Sequence, residues 1–324
     1  MFTRETRVAT MVGQPEYAGH ELLAGAFPGA LGAITGPMKL KTLERLSGAW
    51  DADTLARGME YVLEQARARR IFYDIYSDAE RKADPSKANT GIAAYPLERL
   101  SRFVIVCAGG AYSAVSTIAE ANPVIQRLNE MGYAAFALLY RCGKDAKAPN
   151  PMDDLAQAVQ FILNHADELG VLREDYAVMG FSAGGHLAAS FGTESLGFRH
   201  YGLPAPSTLV LSYPVITMGE KTHVTSRNNL LGKKPSMGQV EAYSVERQVD
   251  AAYPPSFVWQ FDHDYMVPID NSQMMVDALA AAGVRHEYVT YPGKVHGAGL
   301  GVGTPAEGWL EQAVAFWDAV VRDE

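Results

Sequence analysis

Two cysteines in 324 residues, Cys107 and Cys142, are too few and too far apart in sequence for a disulfide framework or a metal cluster. Positive charge is also scarce. Lys and Arg number 28 against 37 Asp and Glu, a formal net charge of −9. Nucleic acid and anionic membranes need a basic face to displace their counterions, so neither is expected as a partner. No run approaches the ~20 apolar residues required to span a bilayer. Near the start, Arg4, Glu5, Arg7 and Glu21 interrupt any apolar core, and Pro28, Pro37 and glycines break residues 24 to 37. A secretory signal is therefore not expected, and the expected location is cytoplasmic. There is no internal repeat.

What is present is ordinary globular material, 48% hydrophobic and 20% charged, in a chain long enough for one large core. Residues 1 to 70 are expected to form a helical and irregular extension packed on the body, with Asp51 or Asp53 capping a helix whose Leu55, Met59, Val62 and Leu63 share one face. From residue 71 to the end, strand-length apolar runs alternate with helical periods. Strands are expected at 71–76, 102–108, 133–140, 175–181, 208–213, 256–261 and 285–291. Helices are expected at about 118–131, 152–169, 271–282 and 304–321. Such alternation builds a mostly parallel sheet covered by helices on both faces. Residues 217 to 253, after the strand ending near Tyr213, are polar and mixed and read as an insertion over the top of the sheet.

The chain is organised around Asp175-Tyr-Ala-Val-Met-Gly-Phe-Ser-Ala-Gly-Gly-His186. An apolar strand stops at Gly180-Phe-Ser-Ala-Gly184, and an alanine-rich helix follows. This is the Gly-x-Ser-x-Gly elbow, in which the serine occupies a strained turn and the glycines avoid crowding it or the neighbouring strand. The helix that follows sets backbone N–H groups and a partial positive charge beside the Ser182 hydroxyl.

A serine hydroxyl needs a base, usually a histidine steered by a carboxylate. His296, in the glycine-rich Tyr291-Pro-Gly-Lys-Val-His-Gly-Ala-Gly-Leu300 after the last strand, is the expected base. His186, His263 and His286 read as structural. The acid is expected in Asp262-His-Asp-Tyr-Met-Val-Pro268, with Asp264 preferred and Asp262 as its alternative or a loop cap. Gly109-Gly110-Ala111-Tyr112 follows a buried strand directly. Gly110 or Ala111 is expected to donate one oxyanion amide and Ala183 the other, while Gly109 and Tyr112 are expected to contact substrate. Three adjacent side chains at 262–264 cannot converge on one ion, and the glycines at 297–303 lack dinucleotide-loop spacing, so no metal or cofactor is needed.

With these residues in place, the sequence resembles the serine esterases of the α/β-hydrolase superfamily. The closest likeness is to the acetyl esterase and acetyl-xylan-esterase-like group, related to hormone-sensitive-lipase-type carboxylesterases. The resemblance runs from about residue 71 to the end. It rests on Cys107-Ala-Gly-Gly-Ala-Tyr112, Gly180-Phe-Ser-Ala-Gly-Gly185, Ser212-Tyr-Pro214, Asn229-Leu-Leu-Gly232, Asp264-Tyr-Met-Val-Pro268 and His296-Gly297. It implies an α/β-hydrolase fold and hydrolysis of small acyl esters, acetylated saccharides among them, through Ser182, His296 and Asp264. Ala108 and Ala111 stand where the family usually has a proline and a third glycine. The insertion and Tyr112 are expected to wall the pocket. Two other readings are a serine peptidase of the same fold and a non-catalytic binding protein built on it. The sequence is compatible with a homo-oligomer.

Overall fold

The computed structural model describes residues 1–323. Among them eight strands form one sheet in the order β1-β2-β4-β3-β5-β6-β7-β8. The strands are β1 (Phe72–Tyr73), β2 (Gly91–Tyr95), β3 (Phe103–Cys107), β4 (Ala134–Leu139), β5 (Ala177–Phe181), β6 (Thr208–Ser212), β7 (Ser256–Phe261) and β8 (His286–Tyr291). Every pairing from β4 to β8 is parallel; only β1 with β2 and β2 with β4 are antiparallel. The central strands are buried along their whole length, as continuous apolar runs such as Phe103-Val-Ile-Val-Cys107 require when helices cover both faces.

Parallel pairing has a direct consequence for the site. The loops leaving β3, β5, β6, β7 and β8 all emerge at the same edge of the sheet, the edge where open α/β folds gather their ligand-binding loops. The elbow, both candidate acids and His296 lie in those loops.

Three expectations are corrected. The run 71–76 contributes only a two-residue edge strand. Gly91-Ile-Ala-Ala-Tyr95, absent from the strands expected above, forms β2, whose residues are all buried between β1 and β4. Its glycine and alanines have weak strand preference, so pairing and burial decided its state. The last helix starts at Trp309 rather than Thr304, because Gly301, Gly303 and Gly308 hold positive φ in the preceding turns.

The first seventy residues fold into short helices and one long one, Ala52–Ala68, whose first turn is capped by Asp51 accepting the Thr54 N–H at 2.7 Å. The long helix packs on the helix Asn122–Met131. The contact is so close that a Cβ on Gly58 would lie 2.9 Å from the Pro123 nitrogen. Val8, Met11, Tyr17, Leu40 and Met59 are buried in the same apolar cluster as the sheet. The 217–253 insertion contains the helices Val224–Leu231 and Met237–Tyr243.

Candidate active site

Ser182 is the residue between β5 and the helix Ala183–Phe191, with φ 53° and ψ −116°. L-residues avoid this region, at a cost of about 1–3 kcal/mol. Packing enforces it: the Ser182 N–H donates to the Ser212 carbonyl at 3.0 Å and its carbonyl accepts the Val215 N–H at 3.0 Å. The two glycines are sterically obligatory. A Cβ at Gly180 would meet the Gly184 carbonyl oxygen at 2.1 Å, and one at Gly184 would meet the Cys107 carbonyl oxygen of β3 at 2.0 Å.

The Ser182 Oγ lies 2.8 Å from His296 Nε2, and His296 Nδ1 lies 2.6 Å from Asp264 Oδ2. The Asp264 side chain is fully buried, and its other oxygen accepts the Met266 and Val267 N–H groups at 2.8 and 3.0 Å. A carboxylate so held takes the imidazole Nδ1–H, which leaves Nε2 bare to accept the serine proton. Asp262 is elsewhere. It accepts the Gly293 N–H at 2.9 Å and pairs with the exposed His263, whose hydrogen bond, followed by that of Gly293, holds its carboxyl below the usual range. It ties two loops together. His186 is buried between the Tyr112 hydroxyl and the Tyr243 carbonyl, and His286 Nδ1 faces the Val284 carbonyl.

The glycine loop after β3 is strained as a unit, with φ of 133°, 56° and 57° at Gly110, Ala111 and Tyr112. Asn229 of the insertion braces it, donating to the Ala111 carbonyl at 2.8 Å and the Ser113 hydroxyl at 2.7 Å. Gly110 and Ala111 line the cleft above Ser182. Among the described residues neither amide has an acceptor, and Ala183, as the first residue of its helix, has none within the helix. Two expected substrate contacts are corrected here. The Gly109 N–H is already donated to Glu120 Oε2 at 2.6 Å. The Tyr112 side chain is buried against Tyr140 and His186, so it supports the loop from behind.

The pocket wall is also corrected. A cleft of about 340 Å³ opens over Ser182 and His296, and one side of its wall comes from the first fifty residues, through Leu43, Leu46, Ser47 and Trp50. Trp50 donates its indole N–H to the Gly297 carbonyl at 2.5 Å, joining that wall to the loop carrying His296. Tyr265 and Met266 form the opposite rim, and Leu46, Tyr265 and Met266 are exposed at the mouth. The insertion contributes His223, half-buried, with Nδ1 2.8 Å from the Ser226 hydroxyl. Burial first, and then the nearby His296, lower its pKa.

Trp50, His223 and Glu120 were not singled out from the sequence. Nothing local marks them: Trp50 and His223 lie in stretches without clear periodicity, and Glu120 is one of several polar residues in the helical segment 118–131.

A strained serine at the end of a central parallel strand, with a histidine and a carboxylate delivered by the last two strand loops, is the architecture of the α/β-hydrolases, and the chain has that fold. Several of the proteins it resembles are named esterases. A family model described as BD-FAE matches residues 96–198. The chain is 29% identical over 242 residues to an acetylxylan esterase of Xylanibacter ruminicola, covering 72% of this chain and 48% of that protein. It is 29% identical over 215 residues to endo-1,4-beta-xylanase B of Butyrivibrio fibrisolvens, covering 64% and 34%. The chain thus spans about a third to a half of the length of these relatives. Among solved structures, an acetyl ester-xyloside bifunctional hydrolase from Caldicellulosiruptor lactoaceticus superimposes with a TM-score of 0.69 at 28% identity, over 77% of this chain and 96% of that one. A carboxylesterase from Lactobacillus plantarum gives 0.62 at 25% identity, over 71% and 92%.

Proposed function

We propose that the chain is a serine carboxylesterase that removes small acyl groups, acetyl foremost, from neutral alcohols such as the hydroxyls of saccharides. The observation that carries this reading is the unbroken line Ser182 Oγ, His296, Asp264, opening onto a cleft lined by the Gly110 and Ala111 backbone. In the first half-reaction His296 Nε2 takes the Ser182 proton as Oγ bonds to the ester carbonyl carbon. The carbonyl oxygen gathers negative charge and is received by the Ala183 amide together with that of Gly110 or Ala111. The C–O bond to the alcohol then breaks, and His296 returns the proton to the departing alkoxide. Water repeats the sequence on the acyl-enzyme, with His296 as base, releasing the acid and restoring Ser182.

The cleft supports a neutral substrate. Its lining includes no Lys, Arg or Asp among the described residues, and its only carboxyl, Glu120, is buried. Leu43 and Leu46 add apolar surface to its wall. The likeness to an acetylxylan esterase and an acetyl ester-xyloside hydrolase supports acetylated xylose units as the first substrates to test. The experiment is initial-rate profiling on nitrophenyl esters from acetate to octanoate, beside acetylated xylo-oligosaccharides, for wild type and Ser182→Ala. The expected result is a preference for acetate, deacetylation of the oligosaccharide, and loss of both activities in the variant. Turnover that survives Ser182→Ala refutes the mechanism, and a preference for octanoate refutes the acyl assignment.

A further inference from the structure

Beneath the cleft lies a carboxyl that the mechanism above does not use. Glu120 ends the short helix Thr117–Glu120 and is almost fully buried. Burying a carboxylate without partners costs several kcal/mol, so its surroundings need a reason. Oε2 accepts the Gly109 N–H at 2.6 Å, and Oε1 faces the Tyr213 hydroxyl at 2.9 Å. The Tyr213 oxygen in turn accepts the Gly299 N–H at 3.0 Å. The direction of this chain is set by its ends. The two amides can only donate, so with Gly299 donating to the phenol the phenol O–H is free to donate to Oε1, and both carboxyl oxygens act as acceptors. That pattern suits the ionised carboxylate. Burial raises the Glu120 pKa, while the Gly109 N–H first, and then the charge of His296, oppose the rise. Burial also drives the Tyr213 phenol well above its ordinary pKa, so it remains a donor.

The two ends of the chain are the two moving parts of the proposed chemistry. Gly109 precedes the oxyanion amides Gly110 and Ala111. Gly299, whose carbonyl also accepts the Trp309 indole N–H at 2.9 Å, belongs to the loop of His296. Tyr213 is itself pinned at φ 38° just after β6, with its ring edge-on to the His296 imidazole at 5.0 Å between centroids. A Cβ on Gly297 would lie 3.6 Å from Glu120 Oε1, so the carboxyl passes directly under the histidine loop. The charged and titratable groups facing His296 are Asp264, Ser182, His223, Tyr213 and Glu120.

We propose that Glu120 is a positioning residue of the hydrolytic site: an ionised carboxylate that holds the oxyanion loop through Gly109 and the histidine loop through Tyr213, and whose charge stabilises the imidazolium formed on His296 in each half-reaction. The proposal rests on the esterase reading. It goes beyond the triad by assigning a second carboxylate, besides Asp264, to transition-state charge.

The test uses the full chain and nitrophenyl acetate, with Ser182→Ala run alongside. Glu120→Gln keeps the shape and removes the charge. Its kcat is expected to fall about 100-fold with KM changed less than about threefold, the size typical of losing one electrostatic contribution in the transition state. The acid limb of its kcat/KM profile is expected to move to lower pH, because a lost negative charge disfavours the protonated imidazole. A purely structural role predicts a lower melting temperature with that limb unmoved. Tyr213→Phe keeps the carboxylate but cuts the link to Gly299; it is expected to lower kcat about tenfold with the limb nearly in place, and it serves as the second variant should Glu120→Gln fail to fold. Wild-type kcat and an unmoved limb in Glu120→Gln, or wild-type kcat in Tyr213→Phe, overturns the assignment while the loss of activity in Ser182→Ala leaves the triad standing. Activity retained in Ser182→Ala overturns the esterase reading instead.

Discussion

Replacing Asp264 by Asn tests the site at its most informative point, because the structure dictates which way the new amide must face. The Asp264 oxygen that receives the Met266 and Val267 N–H groups has to remain an oxygen, since an NH₂ there would oppose two donors inside a closed turn. The amide nitrogen therefore takes the other position, 2.6 Å from His296 Nδ1, where it opposes only the single, longer hydrogen bond from Gln260 Nε2 at 3.2 Å. An NH₂ there donates, so Nδ1 must accept, and the ring proton moves to Nε2, where it faces the Ser182 hydroxyl at 2.8 Å. The imidazole is then the wrong tautomer to act as a base. The expected fall in kcat is about 10⁴-fold, or about 5.5 kcal/mol in the barrier, with the fold intact because size and backbone contacts are kept. Asp262→Asn is the internal control. That side chain is partly exposed and serves Gly293 and His263, so kcat is expected to stay within about threefold of wild type. The assay is steady-state hydrolysis of nitrophenyl acetate with a fluorophosphonate probe counting reactive serines. Equal losses in the two variants, or a larger loss in Asp262→Asn, refutes the reasoning.

Two further outcomes follow from packing. Gly184→Ala places a Cβ 2.0 Å from the Cys107 carbonyl oxygen and 2.6 Å from that of Ala108, both backbone atoms of the central sheet edge; a stability loss of about 3 kcal/mol is expected from urea unfolding, and an unchanged midpoint would contradict it. His186 is fully buried and its pKa is pushed from 6.5 down to about 4, first by burial. Because the folded value lies below the unfolded one, the unfolded chain binds the proton first. Stability is full above about pH 6.5 and declines by up to about 3 kcal/mol as pH falls toward 4. His186→Gln should flatten that part of the stability curve; an identical slope in the variant would show that other groups cause it.

Some of this molecule was legible without coordinates because the information was local. The elbow declares itself through an apolar strand, two glycines around a serine and a small-residue helix, and the reason emerges in the contacts: Cβ atoms at 180 and 184 would strike backbone. Continuous apolar runs located the central strands, since a strand buried on both faces has no room for polar side chains. His296 and the Asp262–Asp264 pair were visible as loop residues after late strands. Other features were set by partners distant in the chain. Strand β2 is a Gly-Ala segment that owes its state to pairing with β1 and β4.

Sequence alone thus pointed to Ser182 as the candidate nucleophile, His296 as the candidate base, the alternation that makes a parallel sheet, and a choice of two candidate acids, because each depends on residues within one element or loop. Tertiary structure put Asp264 rather than Asp262 beside His296, turned the Gly109 N–H and the Tyr112 side chain away from the cleft, added Leu43, Leu46 and Trp50 of the first fifty residues to the pocket wall, and put Glu120 under the histidine loop. The physical reason is the same in each case. A hydrogen bond or a cavity wall is defined by which groups meet across the fold, and residues 50 and 297, or 120 and 213, are brought within reach of one another only when the whole sheet has closed.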